Sequence, residues 1–168
     1  NKIIVGDYGS GLVKVFEYDG SLWSVMGSGD EDELSFGITS YFGYSVDINN
    51  DDNLIRIVVG SLLDETNDIA RQGSIRIFDY NSSTKTWGAN GVVYGDVEQD
   101  EFGRDVSISD DGTKISAISN NYLKSYSYEE KLWKPRGQTI DLSVSKLDIN
   151  GSGDRLVISN SYQILIYI

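Results

Sequence analysis

The sequence contains no cysteine and no histidine, and only one proline and one methionine in 168 residues. Disulfides, thiolate and imidazole metal sites, Cys–His nucleophiles and Ser–His–Asp triads are therefore excluded together. A pair of carboxylates is the acid–base device that remains. No apolar run is long enough for a signal peptide or a membrane-crossing helix. Positive charge is also scarce: 14 Lys and Arg against 26 Asp and Glu leave a formal charge of −12. The averaged field repels phosphate backbones and anionic lipid surfaces, so nucleic acid and membrane insertion are set aside as partners. The missing cysteines do not fix the compartment, because a domain with enough core needs no disulfide outside the cell either.

What is plentiful is glycine and aromatic surface, with 18 Gly, 11 Tyr, 5 Phe and 3 Trp. This is a folded, β-leaning composition. The tryptophans set a phase. Trp23, Trp87 and Trp133 each follow an alternating segment that ends in an aromatic-x-Tyr pair: Phe16 to Tyr18, Phe78 to Tyr80 and Tyr126 to Tyr128. Upstream of each lies a short apolar strand ending in a small residue, at Ile3 to Gly6, Ile57 to Gly60, Ile115 to Ser119 and Leu156 to Ser159. Further upstream stand Phe42-Gly43-Tyr44-Ser45-Val46-Asp47-Ile48 and Phe102-Gly103-Arg104-Asp105-Val106-Ser107-Ile108, each followed by an Asx-rich turn. Val144 to Ile149 is a third copy without the Phe-Gly pair. A weaker strand follows the glycine after each Trp, as in Gly91 to Gly95 and Gly137 to Ile140. No helical period of useful length occurs anywhere.

One repeat is thus four short strands, A to D, joined by tight turns, and repeats of this kind are the signature of β-propeller blades. The expected fold is all-β: blades of four antiparallel strands, about three and a half of them, forming a segment of a larger propeller. Residues 1–40 are a partial blade (strands B to D), 41–101 a blade with a B–C insertion at 62–72, 102–143 a blade, and 144–168 a partial blade (strands A to C). An A-B-C end cannot complete a B-C-D start, so the remaining blades are expected from the same polypeptide or from an assembly partner.

Phe42-Gly43-x-Ser45-Val46, then Val58-Val59-Gly60-Ser61 and Gly73-Ser74-Ile75-Arg76-Ile77-Phe78, resemble the FG-GAP repeat of integrin α-type propellers. Gly60-Ser61 departs from the family's Gly-Ala-Pro, and the next blade keeps Phe102-Gly103 but carries Ile118-Ser119. The resemblance implies an extracellular or surface-displayed, adhesion-type module. It also implies calcium in some A–B turns, through a run like Asp-x-Asp-x-Asp-Gly-x-x-Asp. Asp47, Asn49, Asp51 and Asn53 occupy alternate positions of such a turn, with Asp52 in place of the glycine and Ile55 in place of the closing acid. Asp148, Asn150, Ser152 and Asp154 form a second candidate, and Ser107, Ser109 and Asp111 a third. Calcium is the one cofactor considered, and an Asx turn satisfying its own backbone explains the same residues.

Asn81-Ser82-Ser83 and Asn150-Gly151-Ser152 are N-glycosylation triplets in expected surface turns. The 62–72 insertion carries Asp64, Glu65, Asp68 and Arg71, and reads equally as a specificity loop or as a solvated acidic one. Asp30-Glu31-Asp32-Glu33 and Glu98-Gln99-Asp100-Glu101 read as solvated connections. The recurring tryptophans suggest packing at the C–D corner rather than sugar stacking. The resulting expectation is a non-catalytic extracellular module, not an enzyme, that binds a protein or glycan. The alternatives are a structural block of a filament, appendage or particle surface, and a carboxylate-dependent glycosidase or lyase.

Overall fold

The computed structural model describes residues 1–27, 34–66, 68–141, 144–160 and 162–167, so the acidic stretch Asp30 to Glu33 lies outside the described residues. The fold is all-β, with one short 3-10 turn among the described residues, at Ile38–Ser40, and the strands form four antiparallel sheets in propeller-like array. Blade 1 holds β1 (Lys2–Asp7), β2 (Leu12–Tyr18), β3 (Trp23–Val25) and β4 (Leu34–Ser35). β3 pairs with the second half of β2 and β4 with its first half, so together they make one interrupted outer strand. Blade 2 runs in the order β5 (Phe42–Ile48), β6 (Arg56–Ser61), β7 (Ser74–Asn81), β8 (Thr86–Tyr94). Blade 3 is β9 (Asp105–Ile108), β10 (Lys114–Ile118), β11 (Tyr122–Glu129), β12 (Leu132–Asp141), and blade 4 is β13 (Lys146–Ile149), β14 (Leu156–Ser159), β15 (Ile164–Tyr167).

The outer strands begin earlier than the sequence suggests. Trp87 and Trp133 lie inside β8 and β12, near their starts, rather than before them. At Trp133 the reason is a tight turn without the usual glycine. Glu129 pairs with Leu132, and Glu130 and Lys131 between them take φ of 53° and 65°, the two-residue I′ geometry that normally announces itself as Asn-Gly.

Blade stacking explains why β6 is a continuous apolar run. Every one of its residues is buried, because blade 1 covers one face and blade 3 the other. Ile57 and Val59 join Val13, Val15 and Phe42 in the core between blades 1 and 2, while Val58, Ile75 and Ile77 join Phe102, Val106 and Ile115 between blades 2 and 3. Ile118, Leu123, Leu147 and Ile158 fill the third junction. Burying such side chains contributes roughly 1.5–3 kcal/mol each.

The Phe-Gly pair marks a close approach between blades. A Cβ on Gly6 would lie 2.1 Å from the Gly43 carbonyl oxygen, and one on Gly60 2.1 Å from that of Gly103. Gly43 and Gly103 present those carbonyls with φ of 86° and 92°, left-handed geometry that glycine adopts without strain. The buried Phe42 and Phe102 rings fill the space beside the contact.

Candidate functional site

The first strands of successive blades lie side by side, β1 against β5, β5 against β9 and β9 against β13. Asp47, Ser107 and Asp148 occupy the same register on β5, β9 and β13, each directly before the strand's last isoleucine. The Ser107 hydroxyl lies 3.0 Å from Asp47 Oδ2 and 3.1 Å from Asp148 Oδ1, and the Asp47 carboxylate also accepts from the Ile108 amide at 2.8 Å. One hydroxyl proton cannot serve both carboxylates at once. Burial, with the Asp148 charge adding to it, pushes the Asp47 carboxyl above its ordinary range despite these donors. The row is an interblade clamp. One register step away, Asp105 accepts from the Leu147 amide at 2.9 Å, repeating the device between blades 3 and 4.

The four calcium candidates of the first turn do not converge. Asp47 is turned to blade 3 as described. Asn49 is buried and closes its own turn, its Oδ1 accepting from the Arg56 amide at 2.7 Å and its Nδ2 donating to the Leu54 carbonyl at 2.6 Å. Asp51 accepts from the backbone and side chain of Asn53, at 2.8 and 3.0 Å. In the third turn, Asn150 Nδ2 donates to Ser152 Oγ at 2.8 Å and to Asp154 Oδ1 at 2.7 Å, and Ser152 also donates to Asp154. Asn150 and then Ser152 hold the Asp154 carboxyl below its usual range. Ser109 and Asp111 close the middle turn in the same way, with a 2.6 Å bond. The turns are also stitched to each other by main-chain bonds, Asn50 N to Asp110 O and Asp110 N to Gly151 O. Among the described residues no group of three or more acidic side chains is placed to hold a metal.

The insertion is built around a buried acid. Asp64, which reads as an exposed loop residue, is 1% exposed. It accepts from Ser74 Oγ at 2.6 Å, from Arg76 at 2.7 Å and from the amide and hydroxyl of Thr66. Burial alone would raise its carboxyl, but Ser74, Thr66 and Arg76 outweigh it and the net shift is downward. Arg76 in turn lies 3.5 Å over the Phe36 ring of blade 1. The 98–101 connection is solvated, as its composition suggests, only at Glu98 and Gln99. Glu101 is buried between Arg71 of the insertion and Arg104, and Asp100 accepts from the Asp96 and Val97 amides and from Tyr122 Oη at 2.7 Å. Burial first, and Asp100 second, push the Tyr122 hydroxyl well above its ordinary value, so it stays a donor.

These anchors fix one wall of an open cleft of about 690 Å³ between the insertion and the 36–40 turn of blade 1. Phe36, Thr39, Leu63, Glu65, Thr66 and Arg71 line it. Glu65, Thr66, Asp68 and Arg71 stay exposed on the insertion side, and Gly37, Ile38 and Thr39 on the other. The insertion residues therefore divide into Asp64, which anchors, and Glu65 and Arg71, which face the cleft. Glu65 also accepts from the Arg71 amide at 3.1 Å.

Each tryptophan packs on the tyrosine that precedes it, with ring centroids 5.2 Å apart for Trp23–Tyr18, 5.0 Å for Trp87–Tyr80 and 5.1 Å for Trp133–Tyr128. Beneath the last pair lies Arg56, which no motif in the sequence marks. Arg56 is 1% exposed, makes bidentate bonds of 2.6 and 2.8 Å to Asp79, donates to Gly112 O at 2.8 Å and stacks 4.2 Å from the Tyr128 ring centroid. Asn90 links Asp79 to Tyr128 and accepts from the Trp133 indole at 3.0 Å. The two sequon asparagines sit in exposed turns, where Asn81 Oδ1 accepts from the Ser83 and Thr84 amides.

No family model and no curated protein matches the chain. Among solved structures, it is similar to the crystal structure of a protein from Lactobacillus plantarum, a β-propeller, with a TM-score of 0.64 and 15% sequence identity. The similarity covers 99% of this chain and 48% of that one, so the chain spans about half the length of the propeller it matches. At this identity the likeness establishes the fold.

Proposed function

We propose that this chain is a non-catalytic β-propeller module, extracellular or surface-displayed, that binds a protein or glycan partner at the cleft between the 62–72 insertion and the 36–40 turn. One observation carries the reading: the cleft combines an aromatic wall and exposed polar groups with a buried Asp64–Ser74–Arg76 anchor that holds its shape before any partner arrives. The FG-GAP resemblance supports the same class. Of the carboxylates a hydrolase would need, Asp47 has both oxygens engaged, by the Ile48 amide and by Ser107 and Ile108, whereas Asp148 is exposed and competes with Asp47 for the Ser107 hydroxyl. The test is binding to glycan and extracellular-protein arrays, with Thr39→Arg and Glu65→Ala as cleft variants. Loss of the wild-type signal in both, at unchanged melting temperature, supports the proposal. Retained binding sinks it.

A second reading, assembly with further blades, has its own observation. Ile3 and Val5 are 45% and 49% exposed on the outer face of blade 1, while their repeat counterparts Ile57 and Val59 are fully buried. On blade 4, Ile164 and Ile166 are 72% and 69% exposed against fully buried Ile75 and Ile77. Apolar faces of this kind favour completion by neighbouring blades, from the same polypeptide or an assembly partner. Loss of self-association in Ile166→Asp by sedimentation would favour it.

A further inference from the structure

Two guanidinium groups share one buried carboxylate beside the insertion cleft. Glu101 Oε1 accepts from Arg71 Nη2, and its Oε2 accepts from Arg104 Nη1. The carboxylate is hidden, whereas Arg71 is exposed and Arg104 partly so. Solvent therefore meets two cations whose common counter-ion compensates only one of them, on a protein with a formal charge of −12.

Arg71 is oriented by its surroundings. Its φ is 52° and that of Glu101 is 50°, left-handed geometry that residues with a side chain adopt at a cost. Main-chain bonds from Glu101 N to Arg71 O at 2.9 Å and from Gln99 N to Ala70 O at 3.0 Å hold it there. Of the guanidinium, Nη2 serves Glu101 and Nη1 makes a long 3.3 Å bond to Gln99, while Nε has no partner among the described residues. Arg71 lines the cleft together with Phe36, Thr39, Glu65 and Thr66. A ligand that satisfies this wall brings a carboxylate for the guanidinium fork, hydroxyls for Glu65 and Thr39, and an apolar face for Phe36. A uronic acid sugar carries all three. A strongly acidic polypeptide suits the cleft less well, because its further charges meet Glu65, Asp68 and the negative field of the whole chain.

We propose that Arg71 selects glycans bearing a uronic acid residue, a reading that rests on the binding cleft proposed above. Arg104 contributes without touching the sugar, by taking up the charge of Glu101 so that Arg71 keeps its own for the ligand. The probe is methyl β-glucuronide, titrated into the 168-residue chain and followed by ¹⁵N NMR at the Arg71 Nε–H and at the Thr39 and Thr66 amides. Saturable shifts at millimolar concentration are expected, with methyl β-glucoside and acetate each binding at least about tenfold more weakly. Arg71→Gln leaves Glu101 paired with Arg104 and should weaken glucuronide binding at least about tenfold, read at the two amides. Arg104→Gln leaves Glu101 paired with Arg71 and should weaken it about threefold. No saturable shift, an equal response to glucoside, an equal response to acetate, or unchanged affinity in Arg71→Gln would each overturn the proposal. Tighter binding of N-acetyl-aspartate amide would also overturn it and assign the acid to a protein partner. The two readings fail separately: array binding that is lost in Thr39→Arg and Glu65→Ala but is equal for uronic and neutral glycans keeps the cleft and refutes the acid preference, whereas silent arrays and no glucuronide shift refute both.

Discussion

Replacing Arg56 by methionine tests how far the interblade contacts, rather than the individual sheets, hold this protein together. The arginine side chain is 2% exposed, against 30% for Asp79. Methionine keeps much of the buried volume but removes two charge-assisted bonds to Asp79, one bond to Gly112 O and the stacking on Tyr128 and Trp133. Removing one partner of a buried pair costs about 3–5 kcal/mol. Asp79 can recover part of its hydration and keeps its bond from Asn90, which places the expected loss near the lower end, at about 3 kcal/mol. For a chain of this size that corresponds to roughly 6–12 °C in melting temperature. Urea unfolding followed by tryptophan fluorescence, with calorimetry alongside, reads both quantities. Adding Asp79→Asn should cost at least about 1 kcal/mol less in the methionine background than in the wild-type background, a coupling above about 1 kcal/mol. A single-variant loss below about 1 kcal/mol, or simple additivity, would show that the Arg56 network does not join blades 2 and 3.

Further outcomes follow from the geometry. Gly60→Ala pushes a methyl group into the Gly103 carbonyl and should destabilise by about 1–3 kcal/mol in urea unfolding, whereas Gly20→Ala, with open space around it but an unfavourable φ, should cost less. Because the Asp64 carboxyl is held below its ordinary value, its stabilisation is present above the unfolded-state value near 4 and is lost as pH falls through the lower folded value. Asp64→Asn should therefore lower stability at pH 7 and flatten the acid limb measured by urea midpoints between about pH 2 and 5. Asp47 has the opposite sign, so Asp47→Asn should be neutral or stabilising at pH 7. Calcium at millimolar concentration should leave the melting temperature unchanged relative to chelator, because binding would have to draw Asp47 away from Ile108 and Ser107; a rise of several degrees would restore the calcium reading of Asp47, Asn49, Asp51 and Asn53. Expressed through a secretory host, the chain should carry glycan on Asn81 in preference to Asn150, whose amide nitrogen is held by Ser152 and Asp154, as glycopeptide mass spectrometry would show.

The fold was legible because stacking imposes the same demands on every blade. Small residues at Gly6, Gly60 and Ser119, apolar second strands and tryptophans at one phase all recur where neighbours press closest. The outer-strand starts were not legible, since Glu130 and Lys131 make a turn that glycine or asparagine usually marks. Asp47 illustrates why the candidate site was harder to read. An acid that precedes an Asx turn has the same local sequence whether it faces a cation in its own loop or Ser107 one blade away. Asp64 and Glu101 were hidden by their acidic surroundings, and only the arginines that reach them, Arg76, Arg71 and Arg104, explain their burial. Arg56 left one usable signal. It opens a strand otherwise made of apolar and small residues, and the register places it opposite Asp79. A charge at the head of such a strand needs a partner in reach.

Binding at the insertion cleft is the central property proposed for this chain. Amide hydrogen exchange on the chain, with and without the strongest ligand found on the arrays, tests it most directly. Slowed exchange confined to residues 36–40 and 62–72 is the predicted result. Slowed exchange over β5 and β13 around Asp47 and Asp148, with the insertion unaffected, would contradict it and move the site to the inner strands.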